Sequence, residues 1–310
     1  MYNHPTLYIY LSLTIASLLW GTSFAAAKVG LRELLPLNLV ILRFVLASLI
    51  FGIILTLMRR DNTINRSDIP IFIALGFLSI TSYFFIQFTG LQYTTTINSS
   101  LIIATSPIYI ALFGSILGWE KLSTASIYGI LLAFIGVTAI ITNGNLAGIF
   151  HTDTLKGDLM LMCNSVVWAG FTLYGKSILQ KYRPFVAMAY IHIFGTLLLI
   201  PFAFTPTFLA STPLMTQINT ITWPTITAAL YLALLCSVYA YYIWYTGVEK
   251  IGAVRTAVFS YLNPLFAIVT GVLLLGESFS VYTFVGGLMI IAGVYVTNKA
   301  KATAKSTQQA

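Results

Sequence analysis

The stretch TGLQYTTTINSSLIIATSPIYIALFGSILGWEKLSTASIYGILLAFIGV, residues 89–137, decides the fold because the chain carries it twice. Adding 157 to each number leads to residues 246–294. There Thr89-Gly90, Pro107, Gly114, Leu117, Glu120, Ser123, Gly129, Leu131, Gly136 and Val137 return as Thr246-Gly247, Pro264, Gly271, Leu274, Glu277, Ser280, Gly286, Leu288, Gly293 and Val294. The register is free of gaps over about fifty residues, and self-similarity at a fixed offset outranks any local reading. Farther upstream, Trp20, Lys28 and Pro36 return as Trp168, Lys176 and Pro184 at an offset of 148. The nine-residue difference between the offsets is most simply an insertion in the polar linker Thr205–Pro224.

The surroundings of the repeat are apolar. Of 310 residues, 58% are hydrophobic and 8% charged, against roughly 25% charged in a soluble globular chain. So few charges cannot cover a water-facing surface, so the solvent for most of the chain is lipid. The net charge of +8 sits in short linkers between apolar runs, which is a topological pattern and not a nucleic-acid footprint. Cys163 and Cys236 both lie inside apolar runs, without metal or redox spacing, and read as small buried hydrophobes. The run Leu7–Leu19 lacks a preceding Lys or Arg and is followed by many similar runs. It reads as a first membrane helix and not as a cleaved leader.

A membrane helix needs about 20 apolar residues. Ten runs qualify: Leu7–Val29, Leu37–Met58, Ile69–Leu91, Thr95–Leu117, Thr124–Thr142, Leu155–Leu179, Phe185–Phe204, Thr225–Gly247, Ala253–Leu275 and Val281–Thr297. The expected fold is therefore an all-α integral membrane protein. Two five-helix repeats, residues 7–143 and 155–298, precede a polar, unstructured cytoplasmic tail at 299–310. Five is an odd number, so the second repeat enters the membrane inverted. Charge gives an independent check. With both termini in the cytoplasm, twelve Lys and Arg fall on the cytoplasmic side and three (Lys28, Arg32, Lys156) outside, with Arg43 inside the second helix. That bias fits ten spans, and nine or eleven would scramble it. Inverted repeats put a binding site between the halves near the midplane.

Trp20-Gly21 with Phe24, Pro36 with Arg43-Phe44, and Ser106-Pro107 leading to Gly118-Trp119-Glu120 resemble the drug/metabolite transporter superfamily, in its EamA-type ten-helix branch. Gly157-Asp158, Trp168-Ala169 and Asn263-Pro264 leading to Gly276-Glu277 carry the same resemblance in the second half. It covers nearly the whole chain and does not specify cargo. It implies a central cavity lined by helices one, three, four, six, eight and nine, with five and ten as scaffold. It also implies traffic in amino acids, nucleobases, related metabolites or toxic compounds, mostly outward, across the inner (cytoplasmic) membrane.

A polar side chain at membrane depth points into a cavity or pairs with another. Helix one offers Trp20 and Ser23. Helix three offers Tyr83 and Gln87, four apart on one face. Helix four offers Asn98 and Thr105, and helix six Asn164 and Trp168. Helix eight offers Ser237, Tyr241 and Trp244. Together they describe an aromatic, hydrogen-bonding cavity without formal negative charge, although mutual satisfaction between helices is the competing reading for each residue. Arg255, the mate of Asn98, either holds a carboxylate or phosphate or snorkels to the cytoplasmic boundary.

Arg43 reads as structural, pairing with helix-end carbonyls. His192, whose mate is Phe44, reads as a hydrogen-bonded histidine in a peripheral helix, with a proton relay as the alternative. Glu120 and Glu277 are expected to cap the helices that follow them, at Ser123 and Ser280. Pro107 and Pro264 interrupt helices four and nine and mark a hinge, with a static kink as the alternative. Gly129/Gly136 and Gly286/Gly293 are expected to bring helices five and ten close, with a dimer seam as the alternative.

No nucleotide motif, catalytic constellation or metal spacing occurs, so an enzyme is not expected and no cofactor is assigned. No Asp or Glu is placed at mid-membrane depth, which points to uniport or exchange before proton coupling. The expected function is alternating-access transport of a small neutral or zwitterionic metabolite such as an amino acid, with export the expected direction. The alternatives are an importer or exchanger of a nucleoside-like compound stacked on the aromatics, a multidrug exporter, or a non-transporting membrane adaptor. The expected partners are a small-molecule substrate and the lipid bilayer, with no nucleic acid, and the expected state is a monomer or weak homodimer.

Overall fold

The computed structural model describes residues 4–58, 62–118, 123–145, 153–207, 209–251, 256 and 259–309. Helices occupy the ten expected positions, and no strand occurs among the described residues. The first span is His4–Gly30 and the second Pro36–Leu57. The fifth is Thr124–Thr142, the sixth Leu155–Lys181, the seventh Pro184–Leu199 and the tenth Val281–Gln309. Among the described residues, seven helices are long and apolar enough to cross a membrane, and Phe259–Leu275 and Val281–Val296 are shorter apolar helices.

Local chemistry sets the starts. Pro36 and Pro184 open their helices, where the missing N–H costs nothing. The repeat mates Ser123 and Ser280 cap theirs, each hydroxyl accepting from the amide three residues on, at 3.1 Å. The faces turned away from the bundle are apolar. Leu49, Ile53 and Leu57 form one exposed stripe, and Tyr128, Leu131 and Ile135 another. Contiguous exposed apolar surface of this kind belongs in lipid.

Four spans are composite. The third runs Ile69–Gly76, then a π-helical segment Phe77–Ser82, then Tyr83–Tyr93. The eighth runs Trp223–Leu230, a π-helical segment Tyr231–Tyr239, then Ala240–Ile251. At the repeat offset, residues 77–82 fall on 234–239, so both halves widen their helix at the same place. The fourth span breaks between Thr96–Ile103 and Ser106–Ile116. The described part of the ninth passes from a 3-10 turn, Phe259–Leu262, into Asn263–Leu275. Each break falls just before the proline, since the ring removes one backbone donor and disfavours a helical residue ahead of it.

Reciprocal contacts reveal a twofold relation between the halves. Gly90 packs on Leu161, while its mate Gly247 packs on Leu13, the mate of Leu161. Gly136 abuts the backbone of Gly286, and Gly293 abuts that of Gly129, its mirror contact. Such exchange of partners is the signature of an isologous interface. The glycine faces thus join spans five and ten within one chain. A Cβ on Gly136 would lie 2.5 Å from the Gly286 carbonyl oxygen. Gly136→Leu is therefore expected to cost upward of about 2 kcal/mol through overpacking, read as a lowered melting temperature in detergent. A wild-type melting temperature would contradict this packing.

Several expectations are corrected. The tail is helical through Gln309, since no Gly or Pro interrupts 294–309 and alanine and lysine favour helix. Cys163 is exposed on the outer face of the bundle, whereas Cys236 is buried as expected. The seventh span is not peripheral: Met188, Ile191 and His192 are wholly buried. Between the first two spans, Glu33 accepts from the Thr222 amide at 2.8 Å and hydroxyl at 2.6 Å. These bonds hold its carboxyl below the usual carboxylate range. A lowered folded-state pKa contributes stability above the unfolded value, which is lost as pH falls through the folded one. The melting-temperature gap between wild type and Glu33→Gln should therefore close on acidification below about pH 4; a gap independent of pH would argue against the latch.

Candidate substrate site

The aromatic candidates meet where the halves join. Trp20 lies 5.2 Å from Tyr241 and 5.0 Å from Trp244, ring centre to ring centre. Its indole N–H donates to the Cys236 carbonyl at 3.0 Å, a bond that fixes the ring. Tyr83 lies 5.1 Å from Trp168. Tyr241 in turn meets His192 at 5.1 Å. Phe44 of the second span joins the two groups, meeting His192 at 5.6 Å and Phe84 at 4.7 Å, with Phe84 4.9 Å from Tyr83. Tilted and edge-on rings at these separations attract one another, so spans one, two, three, six, seven and eight share one aromatic wall.

Buried polar groups lie about one helical turn from Trp168, Tyr83 and Tyr241. Asn164 is wholly buried, and neither its Oδ1 nor its Nδ2 has a partner. Gln87 is buried with its Oε1 unpartnered. Ser237 is wholly buried; in the π-helical segment its hydroxyl donates to the Leu232 carbonyl at 3.0 Å, five residues back, while accepting from Arg43 Nε at 2.8 Å. The wider turn thus aims Ser237 at the second span. Ser23 and Thr105 instead satisfy themselves locally, donating to the carbonyls of Trp20 and Ile102 at 2.6 Å. Arg255 lies outside the described residues, as do Trp119 and Glu120.

Arg43 is a correction. Among the described residues its hydrogen bond goes to Ser237 and not to helix-end carbonyls. It is buried, and its guanidinium carbon lies 4.4 Å from the centre of the Phe84 ring and 5.0 Å from that of Phe44. His192 Nδ1 bonds the Met188 carbonyl at 2.8 Å, while its Nε2 has no partner. Neither residue sits on one of the six helices expected to line a cavity, and both face the aromatic wall.

Asn98 joins a different cluster, at the end of the bundle that carries Lys28. Glu277 does not cap the helix that follows it. Its carboxylate caps the fourth span, accepting from the amides of Thr96 at 2.8 Å and Ile97 at 3.2 Å and from the Thr96 hydroxyl at 2.7 Å. There the negative charge meets the positive end of the helix dipole. Lys28 pairs with Glu277 at 3.3 Å and donates to the Thr94 carbonyl at 2.6 Å. The Thr94 hydroxyl donates to Asp158 Oδ1 at 2.5 Å, and Asn98 Nδ2 to the same atom at 3.5 Å. Asp158 is wholly buried with Oδ2 unpartnered. It stands in the first turn of the sixth helix, near one end of the span and not at mid-membrane depth. The network ties spans one, four, six and nine together, beside a cleft of about 340 Å³ lined by Leu31, Gln92 and Leu275 among others.

Comparison with known proteins agrees with this architecture. The profile of the EamA-like transporter family matches residues 7–142 and again 155–299. A protein of Archaeoglobus fulgidus named an uncharacterized transporter is 35% identical over 93% of this chain and 96% of its own. A Salmonella typhimurium protein named a probable amino-acid metabolite efflux pump is 27% identical, over 93% of each chain, and a similarly named Escherichia coli protein is 26% identical over 89% of this chain and 90% of its own. One crystal structure, 20% identical, superposes with a TM-score of 0.63 over 96% of this chain and 98% of that one, a likeness of fold alone. The chain is thus a multi-pass membrane transporter and not an enzyme, and it belongs to the EamA-like transporter family.

Proposed function

We propose that this transporter moves an amino acid or a closely related zwitterionic metabolite by alternating access, outward across the cytoplasmic membrane, with both termini inside. The observation that carries the reading is the seam. Reciprocal contacts relate the halves, and the unpartnered amide of Asn164 and the unpartnered Oε1 of Gln87 lie buried in a bundle with a shared aromatic wall. Buried amides without partners cost stability unless a ligand satisfies them. Rocking of one half against the other exposes such a site to each side in turn. The breaks ahead of Pro107 and Pro264 serve as the hinges, and the Lys28–Glu277 network closes one entrance. The relatives named as efflux pumps for amino-acid metabolites support the cargo class and the direction.

Asp158 reopens the question of coupling, because a buried carboxyl with a free oxygen can hold a transported proton. The test is uptake by purified protein in liposomes of the twenty standard amino acids, with and without an imposed proton gradient. Saturable movement of at least one of them is expected. Movement of none, with a nucleoside panel transported instead, would favour the second reading, in which the rings around Trp20 stack on a base.

A further inference from the structure

Arg43 is a cation sealed inside the bundle, and among the described residues no acid pairs with it. It is 3% exposed. Among the described residues the ion pairs are Lys28 with Glu277 and Lys181 with Asp68, and neither involves Arg43. Its guanidinium rests on Phe84 and Phe44 and is oriented by one bond, Nε to Ser237 Oγ at 2.8 Å. Stacking on rings recovers part of the cost of taking a cation out of water, while burial without a counter-charge remains unfavourable.

The fold does not require the charge. At the repeat offset of 148, Arg43 corresponds to Ile191, which is also wholly buried. One half builds this position from isoleucine, so the arginine in the other serves something the repeat alone does not need. Beside it lie Tyr241 and His192, whose rings meet at 5.1 Å, and Phe44, 5.6 Å from His192. His192 Nε2 is unpartnered.

We propose that Arg43 is the group that reads a carboxylate on the cargo. This rests on the reading of the chain as a carrier of amino-acid-like compounds and names the residue that recognises their acid end. The planar guanidinium, tethered through Nε and stacked on aromatic faces, has the fork geometry that suits two parallel bonds to a carboxylate. A neutral amide in place of the carboxylate offers no counter-charge, so the site discriminates against it. The remaining cargo lies along the Trp20–Trp244 rings.

The experiment compares each of the twenty standard amino acids with its carboxamide, by uptake into liposomes containing the full chain. The wild type should favour the free acids at least tenfold. Arg43→Gln should bring the ratio to within twofold while the carboxamides still move. Ser237→Ala, which loosens the tether and leaves the charge, should lower the ratio severalfold. Ser237→Ala also decides the matter if Arg43→Gln fails to insert. Equal handling of acids and carboxamides by the wild type, or an undiminished ratio in whichever variant inserts, would overturn the assignment. If neither form of any amino acid moves, the amino-acid reading fails. Arg43 is then judged by the same comparison with lactate and lactamide, where equal handling overturns it as well.

Discussion

Replacing Asn164 by Leu should raise the melting temperature and slow transport at least tenfold. Both polar atoms of the Asn164 side chain are buried and unpartnered. An amide in that condition costs about 1–3 kcal/mol, and an apolar side chain of similar size removes the cost. In a purely structural role the same substitution would leave uptake intact. The expected result is a protein that inserts at wild-type level, melts several degrees higher, and takes up amino acids at least tenfold more slowly. A lower melting temperature would mean that the amide is satisfied within the protein, and wild-type uptake would remove Asn164 from the site.

The second large effect belongs to Glu277. Its carboxylate holds two backbone amides, one hydroxyl and Lys28. Hydrogen bonds to a charged group are worth about 1.5–3 kcal/mol each, and their weakening is here charged to the conformation in which this end is closed. Glu277→Gln should therefore shift the population toward the state open at the Lys28 end, by the logic that a bias acts only through the state it touches. A single cysteine at Asn98, itself a member of the network, should react with a membrane-impermeant maleimide at least tenfold faster with Glu277→Gln than with Glu277 in place. An unchanged rate would mean the network is scaffold. The repeat extends the expectation to Glu120, the mate of Glu277, whose removal should slow the same labelling by favouring closure of the Lys28 end.

Much of this was legible in the sequence, because doubling and hydropathy are carried by many residues at once. The positions of the ten helices, the pairing of spans five and ten through Gly136 and Gly286, and the starts of those spans at Ser123 and Ser280 all follow from period and offset. What escaped is what depends on distant partners. Glu277 meets Thr96 across 181 residues, and no local pattern distinguishes that from a cap on the adjoining helix. The π-helical segments have no residue signature, yet the wider turn at Leu232–Ser237 is what directs Ser237 to Arg43. Arg43 was misread because a lone arginine in an apolar helix is weighed by its own helix, while its environment of Phe84, Ser237 and Tyr83 comes from two others. Ile191 at the matching position was the available signal: a charge in one copy and none in the other.

The central claim is that the chain is one unit doubled and flipped, with its working groups in the seam. The most direct test is impermeant-reagent labelling of single cysteines at Asn65, Asn145, Thr220 and Thr303, in a Cys163→Ala/Cys236→Ala background and in sealed right-side-out vesicles. Positions 145 and 220 should label in intact vesicles, and 65 and 303 only after permeabilisation. Labelling that put 65 and 303 on opposite faces of the membrane would contradict the inversion and remove the geometric basis for alternating access.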